Sequence, residues 1–534
     1  MTSLARTHSV IVHGVTAHVV EVQASLSPGL PNMSLVGLPD TALKESRDRV
    51  RAAVVNSGLK WPEARITIGL SPASLPKRGT GLDVAIALAV LAANAQLPAD
   101  QIARVVVLGE LGLDGRIRGV AGALAAALAV RQRASTSSLS GVMILGPVDA
   151  AAVTAVPGLE ILTAPTLRVL VARLRGEQEL DEDVHIDQQP IDAEHTTTRN
   201  SLSVRGASVA PVDLRDVAGQ QEGKRALEIA AAGGHHLAML GRAGVGKTLL
   251  AERLPDLLPD LNIEDSLDVT AIHQLAGSPA SVGGSLLTRP PWCAPHHTAT
   301  RPALVGGGRE DKPTIGMATL AHRGVLFLDE AAEFEPAALD ALREPLESGE
   351  VSIARAGFRM TFPARFLLLL AANPCPCGNA LDPNPSATCR CTPHQRRRYL
   401  ARLSGPLMDR LDLRVVLTRP TIAELKGLTG SGQSTKQVAD RVRAARERSR
   451  HRMSETPWTL TAQVPARELF ARWPLPTNSQ RLIDQSCTRE SVRGRDRLQR
   501  VAWTIADLDG HRQPTCTDVD QAIALRASDQ EWTA

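Results

Sequence analysis

Aromatic side chains are scarce in this chain of 534 residues: Phe, Trp and Tyr together make up 2% of it. The hydrophobic cores must therefore be built mainly from Ala, Val, Leu and Ile, which favours closely packed helices and parallel strands. The chain is too long for one such core, so we expect about three domains.

Long apolar runs are also lacking. The first thirty residues contain charges, His and Pro rather than an extended apolar core, so no secretory signal peptide is expected. The longest uncharged candidate, residues 119–130, is rich in Ala and too short to span a bilayer. Seven cysteines, four of them clustered, do not resemble a secreted disulfide scaffold. We therefore expect a cytoplasmic protein with no membrane partner.

Neither sign of charge is in large excess, because 60 Lys and Arg residues face 56 Asp and Glu residues, a net charge of +4. Bulk charge therefore predicts no particular partner, although a local basic surface could still bind nucleic acid.

Strand-like and helix-like segments alternate in residues 1–175, which predicts an α/β domain. The strand-like runs are 9–13, 66–70 and 105–109, and the helical runs are 41–57, 82–94 and 121–133. Residues 176–200 then contain eight acidic residues, one Arg and little apolar surface. We interpret residues 176–212 as an acidic, flexible linker.

The second half of the chain predicts a parallel sheet followed by helices. Continuous apolar runs at 237–240, 325–328 and 366–370 are typical of strands buried on both faces, so residues 213–418 are expected to form an α/β core. The remainder, residues 419–534, is Arg-rich and helical at first. It ends in amphipathic helices near 480–509 and 518–528.

A glycine-rich phosphate loop follows the first of these strands. It fits G-x-x-x-x-G-K-[ST] without deviation, through Gly241, Arg242, Ala243, Gly244, Val245, Gly246, Lys247 and Thr248. In such a loop, backbone N–H groups surround phosphate oxygens, Lys247 reaches the β and γ phosphates, and the Thr248 hydroxyl binds Mg²⁺. The strand before the loop and the helix expected after it, at 249–258, supply the context that the motif requires, so ATP and Mg²⁺ are the expected cofactors.

Acidic and amide residues follow two of the predicted apolar strands. Asp329 and Glu330 lie at the end of the 325–328 strand; Asp329 is expected to hold Mg²⁺ and Glu330 to polarise the attacking water. Asn373 follows the 366–370 strand and could position that water. Taken alone, Asn373 is better explained as a turn residue before Pro374.

These elements, in this order, resemble AAA+ ATPases, and longer strings resemble the magnesium-chelatase-like ComM/YifB family. The strings are Leu35-Val-Gly-Leu-Pro-Asp, Pro76-Lys-Arg-Gly-Thr-Gly-Leu-Asp, Ala294-Pro-His-His-Thr, Leu304-Val-Gly-Gly-Gly, Leu320-Ala-His-Arg-Gly-Val-Leu-Phe-Leu-Asp-Glu, Ala372-Asn-Pro-Cys-Pro-Cys-Gly and Ser404-Gly-Pro-Leu-Met-Asp-Arg-Leu-Asp-Leu. The resemblance implies a Lon-protease-like (S5-fold-like) domain at 1–175, an AAA+ core at 213–418 and a helical lid at 419–534. It also implies a homo-hexamer. Members studied as ComM are DNA helicases that drive branch migration during natural transformation, so single-stranded or branched DNA is the expected partner.

The same resemblance assigns groups that act on the phosphates. Arg410 matches the arginine finger, which stabilises charge on the γ phosphate of a neighbouring subunit's ATP. Arg493 matches the sensor 2 arginine of the lid, but the family string usually continues with an aromatic where this chain has Arg495. Arg497 and Arg500 are therefore rival candidates.

Proteolysis is not expected from the Lon-like domain. The protease uses a Ser and a Lys, whereas this chain has no Lys between Lys77 and Lys224. Thr80 is a lone hydroxyl in the corresponding stretch, and without a base it is better read as a turn residue. We interpret the domain as a scaffold or partner-binding module.

Four cysteines form a C-x-C…C-x-C cluster, made of Cys375, Cys377, Cys389 and Cys391. Four converging thiolates suit tetrahedral Zn²⁺, although most structural zinc sites use C-x2-C pairs. The alternative is a set of redox-inert loop thiols.

Two insertions would face a hexamer pore if the family architecture holds. One is a glycine-rich loop at 301–312, and the other is a hairpin at 352–362. On the hairpin, Arg355 and Arg359 could bind DNA phosphates and Phe358 could stack on a base. An ordinary surface hairpin is an equally good explanation. The basic stretch 441–452 is more typical of a solvated helix face.

Three functions compete at this point. The first is an ATP-driven DNA motor, the second a magnesium-chelatase-type chaperone that remodels a protein partner, and the third a scaffold that binds ATP without hydrolysis. Intact Lys247, Asp329 and Glu330 count against the third. The fused Lon-like domain and the four cysteines distinguish the chain from a chelatase I subunit.

Overall fold

The computed structural model describes residues 3–77, 79–135, 139–177, 213–278, 286–308, 313–355, 358–380, 389–421, 424, 432–486 and 492–527. The expected linker, 176–212, therefore lies almost entirely outside the described residues. The chain divides into a first compact unit, Met1–Thr198 with Ile263–Leu287, and a second, Arg199–Asn262 with Thr288–Ala534. The first unit thus includes a stretch that lies, in sequence, inside the expected core range 213–418.

Strands and helices are numbered here in chain order. The strands are β1 Ser3–His13, β2 Thr16–Ser27, β3 Asn32–Val36, β4 Arg65–Ser71, β5 Val106–Val107, β6 Glu110–Leu111, β7 Ile117–Arg118, β8 Val142–Leu145, β9 Glu160–Thr163, β10 Leu237–Gly241, β11 Trp292–Cys293, β12 Gly307–Gly308, β13 Pro313–Thr314, β14 Val325–Leu328, β15 Glu350–Arg355, β16 Phe358–Pro363, β17 Leu367–Ala372 and β18 Leu413–Leu417. The helices are α1 Thr41–Asn56, α2 Asp83–Ala93, α3 Ala99–Ile102, α4 Ala123–Ala134, α5 Pro147–Val153, α6 Leu167–Leu174, α7 Gln221–Gly233, α8 Lys247–Ala251, α9 Leu254–Leu257, α10 Ile263–Leu275, α11 Arg301–Val305, α12 Met317–Leu320, α13 Pro336–Asp340, α14 Arg343–Ser348, α15 Pro393–Leu400, α16 Gly405–Met408, α17 Thr435–Arg452, α18 Ala466–Arg472, α19 Thr477–Ser486, α20 Val492–Asp509 and α21 Cys516–Ala527. No described helix has the length and apolar character needed to cross a bilayer.

The first unit is built on a mixed seven-stranded sheet of order β3-β4-β2-β1-β5-β8-β9. Strands β1, β2 and β4 pair antiparallel, and the other neighbours pair parallel. Helix α2 is buried along its whole length, and apart from Asp83 it consists of Ala, Val, Leu and Ile. Small and branched aliphatic side chains therefore fill this core, as the shortage of aromatic residues predicts.

The second unit is built on a five-stranded sheet of order β11-β14-β17-β10-β18, in which every pair is parallel. Strands β10, β14 and β17 are buried at every residue, which confirms the parallel sheet predicted from continuous apolar runs. Because parallel strands end at the same edge, the segments after these three strands meet at one edge of the sheet.

The helix after the phosphate loop differs from its prediction. One helix was expected to follow the loop directly and continue to residue 258, but the structure has α8 and a separate α9. Pro255 explains the break, because it lacks an N–H and cannot continue the hydrogen bonding of α8.

Helices α17 to α21 share a hydrophobic core with the sheet of the second unit: Val442 of α17 and Val501 of α20 join Met239 of β10 and Leu413 of β18. The basic stretch within α17 has the solvated face that we predicted, with Arg443 and Arg450 exposed, but several of its other arginines make intramolecular contacts that we did not predict. Those contacts are Arg441 with Glu228 at 2.6 Å, Arg446 with the Ala231 carbonyl at 2.6 Å, and Arg452 with Asp507 at 2.7 Å and over the Trp503 ring at 4.5 Å.

Candidate nucleotide site

The phosphate loop depends on glycine at defined positions. Gly244 and Gly246 have φ angles of 77° and 99°, in the left-handed region that other residues rarely adopt. A Cβ atom at Gly241 would lie 2.9 Å from both the Leu417 carbonyl oxygen and a Val245 methyl carbon. The motif glycines are thus needed for loop curvature and for the close approach of β18.

Lys247 is 7% exposed, and its ammonium group points into the loop. Its Nζ donates to the carbonyl oxygens of Gly241 at 2.6 Å and Arg242 at 3.0 Å, and to Asn373 Oδ1 at 2.9 Å. Burial lowers the pKa of Lys247, although Asp329 and Glu330 oppose that shift. The ammonium and the Asn373 amide are thus brought together from two adjacent strands.

The predicted magnesium ligands are also adjacent. Thr248 Oγ1 donates to Asp329 Oδ2 at 2.6 Å, and the Glu330 backbone N–H donates to Asp329 Oδ1 at 2.9 Å. A hydroxyl and a carboxylate oxygen are donors that Mg²⁺ prefers, so this pair fits the ion. When bound with ATP, Mg²⁺ would neutralise charge on the β and γ phosphates.

His297 is a residue of this site that sequence reasoning missed. Its Nδ1 lies 3.1 Å from Glu330 Oε2, and its ring centroid is 4.0 Å from that of His296. Glu330 has a φ of 50°, a backbone conformation unusual for a residue with a side chain. The sequence does place the two histidines shortly after β11. That position indicates a contact with Glu330 only when the pairing of β11 with β14 is known.

Arg410 lies at the opposite edge of the same sheet from the phosphate loop. It precedes β18 by three residues, whereas the phosphate loop follows β10, and the two strands are parallel neighbours. Its guanidinium forms an ion pair with Glu347, and its side chain is 11% exposed. Arg410 and the phosphate loop of its own chain are therefore separated by the length of β18.

Two of the three sensor 2 candidates are engaged elsewhere. Arg497 Nε lies 3.2 Å from Asp412 Oδ1, at the edge of the sheet where β18 begins, and Arg500 donates to the Val464 carbonyl at 2.9 Å. The side chain of Arg493 lies outside the described residues.

A buried network surrounds Asp412. His235 Nδ1 lies 3.1 Å from Asp412 Oδ2, and His235 Nε2 lies 2.8 Å from Thr504 Oγ1 on α20. Burial favours the neutral acid, yet the hydrogen bond from His235 and the charge of Arg497 hold the pKa of Asp412 below its usual range. This network fixes α20 to the edge of the sheet where β10 and β18 begin.

The four cysteines converge, as the spacing predicted. Cys375 Sγ lies 3.3 Å from Cys377 Sγ and 3.7 Å from Cys389 Sγ, and all four sulfur atoms, with Cys391, lie within 4.8 Å of one another. Burial raises the pKa of Cys375 to about 12, whereas the backbone N–H of Asn379 lowers the pKa of Cys377 to about 6. The cluster could hold a metal ion.

The DNA-contact candidates lie on a two-stranded antiparallel hairpin, β15–β16. Arg359 is exposed on it, and the side chains of Arg355 and Phe358 lie outside the described residues. In the other insertion the predicted loop contains α11 and strand β12, which pairs with β13, while residues 309–312 lie outside the described residues.

Thr80 has a partner that the sequence did not predict. Its hydroxyl donates to Glu110 Oε2, and Glu110 Oε1 lies 3.9 Å from Arg118 Nη1. A carboxylate therefore lies next to this hydroxyl, where we expected no base.

Comparisons with known proteins identify the family of this chain. Residues 213–425 match the family model described as magnesium chelatase, subunit ChlI, residues 20–140 match subunit ChlI of Mg-chelatase, and residues 432–526 match the C-terminal part of that subunit. An uncharacterised protein of Mycobacterium tuberculosis is 44% identical over 98% of this chain and 99% of its own length. YifB of Escherichia coli is 40% identical over 99% and 98%, and the competence protein ComM of Haemophilus influenzae is 37% identical over 98% of each chain. The chain therefore belongs to the magnesium-chelatase-like ComM/YifB family of AAA+ ATPases.

Proposed function

We propose that this ATPase is a cytoplasmic, hexameric DNA motor: a helicase that promotes branch migration in DNA recombination and natural transformation. The observation that carries the proposal is the division of functional groups between two edges of one sheet. Lys247, Thr248, Asp329 and Asn373 meet at one edge, and Arg410 lies at the other. A nucleotide site divided in this way is completed when subunits assemble in a ring. The competence protein among the relatives favours DNA as the substrate.

In the proposed reaction, Lys247 binds the β and γ phosphates, and Thr248 and Asp329 hold Mg²⁺. Glu330 takes a proton from the water that attacks the γ phosphorus, and Asn373 orients that water. Neutralising the phosphate charge and placing the water in line supply most of the rate enhancement.

Two arginines complete the proposed site from other elements. Arg410 of one subunit contacts the γ phosphate bound by its neighbour, because it lies too far from the phosphate loop of its own chain. Arg493 is the proposed sensor 2 residue. Arg497 and Arg500 make contacts with Asp412 and Val464 that would have to break before either could reach a phosphate.

The proposed DNA contacts are Arg355, Phe358 and Arg359. The hairpin β15–β16 presents them near its tip, where arginines can bind backbone phosphates and an aromatic ring can stack on a base. The first unit serves as a scaffold or partner-binding module without proteolytic activity.

We also propose that Cys375, Cys377, Cys389 and Cys391 hold one structural Zn²⁺. Four thiolates in a tetrahedron satisfy zinc completely, as in other structural sites. Protein purified without chelator should contain about one Zn²⁺ per chain, and the Cys375→Ser, Cys389→Ser double variant should contain none. Elemental analysis that finds no zinc in the parent protein would remove this assignment.

The decisive test of the motor is unwinding of labelled forked and four-way branched DNA by the purified protein with ATP and Mg²⁺. The Lys247→Ala variant is the matched control, because it lacks the charge that binds the phosphates. We expect strand displacement by the parent protein alone. ATP hydrolysis without DNA binding or displacement on any of these substrates would reject a DNA motor.

The second candidate is a magnesium-chelatase-type chaperone that remodels a protein partner, and the descriptions of the matching family models favour it. A chelatase motor should depend on large partner subunits and a porphyrin. ATPase activity that DNA does not stimulate, but that a co-purifying protein does, would support this alternative.

A further inference from the structure

We propose that the metal in the four-cysteine cluster sets ATP affinity, because it holds the segment that carries Asn373 against the phosphate loop. The inference rests on the proposed zinc site and nucleotide site, and it assigns the cluster a positioning role. A covalent connection, a packing contact and the arrangement of the sulfur atoms, all in the second unit, support it.

The first contact is covalent. Asn373 lies directly after β17, and a single residue, Pro374, separates it from Cys375. The proline ring fixes one of the backbone angles between them, so the connection is short and stiff. Cys375 is completely buried, while Asn373 Oδ1 accepts a hydrogen bond from Lys247 Nζ at 2.9 Å. A change in the position of Cys375 is therefore transmitted to the amide that contacts Lys247.

The second contact joins the cysteine turn to the phosphate loop itself. Gly378 has a φ of 79°, and its N–H donates to the Cys375 carbonyl at 2.9 Å, which closes the turn. A Cβ atom at Gly378 would lie 3.7 Å from the backbone nitrogen of Ala243, a residue of the phosphate loop. The turn that contains Cys375 and Cys377 thus packs directly against the loop that binds the phosphates.

The third observation is the arrangement of the sulfur atoms. A tetrahedral ion with metal–sulfur distances of about 2.3 Å separates its sulfur ligands by about 3.8 Å. The separations of 3.3, 3.7 and 3.5 Å among Cys375, Cys377 and Cys389 are close to that value and far longer than a disulfide bond. A single cation can therefore bind both halves of the cluster at once. Without the cation, no metal–sulfur bonds join the two pairs of cysteines, and the 375–378 turn loses that link to residues 389–391.

The proposal predicts a selective loss of nucleotide binding on metal removal. Asn373 contacts Lys247, the residue proposed to bind the γ phosphate, so affinity for a non-hydrolysable ATP analogue should fall by about tenfold, the usual effect of losing one hydrogen bond to a charged group. ADP affinity should fall less, because ADP lacks the γ phosphate.

The test combines metal removal with substitution of the residue through which the metal acts. Full-length parent protein and Asn373→Ala are compared as purified, after zinc removal with a thiol-selective reagent and a zinc chelator, and after zinc is restored. Equilibrium binding of the ATP analogue is measured in excess Mg²⁺, with metal content and circular dichroism recorded for each sample. If the metal acts through Asn373, its removal should weaken binding about tenfold in the parent protein but less than about twofold in Asn373→Ala. Cys516→Ser, which removes a thiol outside the cluster, should behave as the parent protein.

The possible outcomes test the zinc site, the positioning role of the metal and the nucleotide site separately. Absence of metal in the parent protein rejects the zinc site and this inference, but leaves the ATPase function intact. Bound metal whose removal leaves ATP affinity unchanged overturns the inference and leaves the zinc site standing. Failure of the metal-loaded parent protein to bind the analogue rejects the nucleotide site itself.

If metal removal unfolds the protein, a second variant tests whether the cysteine cluster positions Asn373. Two glycines inserted between Pro374 and Cys375 keep all four thiols but make the connection to Asn373 flexible. We expect this variant to contain zinc as the parent protein does and to bind the ATP analogue about tenfold more weakly. A normal zinc content with normal ATP affinity would overturn the inference.

Discussion

Replacement of Arg410 is the perturbation that most directly tests the proposed assembly. Strand β18 has five residues and spans about 17 Å, and Arg410 lies three residues before it, at the end remote from the phosphate loop. An arginine side chain cannot cover that distance, so Arg410 cannot reach ATP bound by its own chain. Arg410→Ala should therefore bind ATP with nearly the parent affinity but hydrolyse it about 10³-fold more slowly or worse.

Mixing two inactive variants provides the assay. In an equimolar mixture of Arg410→Ala and Lys247→Ala, an interface is complete only where the first variant supplies the phosphate loop and the second supplies the arginine. If subunits mix at random in a closed ring, about a quarter of the interfaces are complete, so turnover should recover to about a quarter of the parent rate. Recovery should be greatest at the equimolar ratio.

Two results would refute this reasoning. One is absence of recovery in a mixture where affinity tags on the two variants demonstrate mixed rings. The other is Arg410→Ala alone hydrolysing ATP at the parent rate, which would exclude Arg410 as a finger. Arg441→Ala is a matched control, because Arg441 pairs with Glu228 within the second unit. Any loss of ATPase activity in this variant should therefore not be rescued by mixing it with Lys247→Ala.

Three further predictions concern other parts of the chain. Glu330→Gln should retain ATP binding and lose about 10²-fold or more of turnover, since only proton transfer is removed; turnover at the parent rate would reject Glu330 as the base. Burial raises the pKa of Asp149 to about 6, so the folded first unit retains a proton that the unfolded chain has lost, and stability falls as pH rises through that value. Between pH 5 and 7.5 the free energy of unfolding should fall by about 1 kcal/mol more in the parent protein than in Asp149→Asn, and equal pH dependence in denaturant titrations would contradict this. Arg355→Ala with Arg359→Ala should leave basal ATPase intact, weaken DNA binding and flatten its salt dependence; unchanged DNA affinity would place the DNA path elsewhere.

The sequence predicted most reliably those parts of the fold that local pattern determines. Strands β10 and β14 were confirmed with little change, because a buried parallel strand must be apolar at every position. Helix α2 was confirmed within one residue at each end for a similar reason, since almost every position along it is aliphatic. The phosphate loop required no tertiary information, because its glycines, Lys247 and Thr248 all lie within one run of eight residues.

What the sequence could not supply was the set of neighbours created by strand order. His297 lies next to Glu330 because β11 pairs with β14, and nothing in the 32 residues between them indicates that pairing. The partner of Thr80 was missed because Glu110, on the separate two-stranded sheet β6–β7, is 30 residues away in the sequence. Both contacts depend on tertiary packing and not on local propensity.

The string Leu407-Met-Asp-Arg-Leu-Asp shows why a motif alone does not assign roles. Arg410 and Asp412 are two residues apart, yet their side chains have different partners: Arg410 pairs with Glu347, whereas Asp412 is buried between His235 and Arg497. A buried carboxylate that loses its partners is strongly destabilising, so Asp412 has a stabilising role, whereas Arg410 is the proposed arginine finger. Because Asp412 fixes the start of β18 to α20 through Arg497, the backbone that carries Arg410 is supported by the C-terminal helices. Within one short motif, Asp412 thus has a structural role and Arg410 a proposed catalytic role. Only the three-dimensional neighbours of the two residues distinguish these roles.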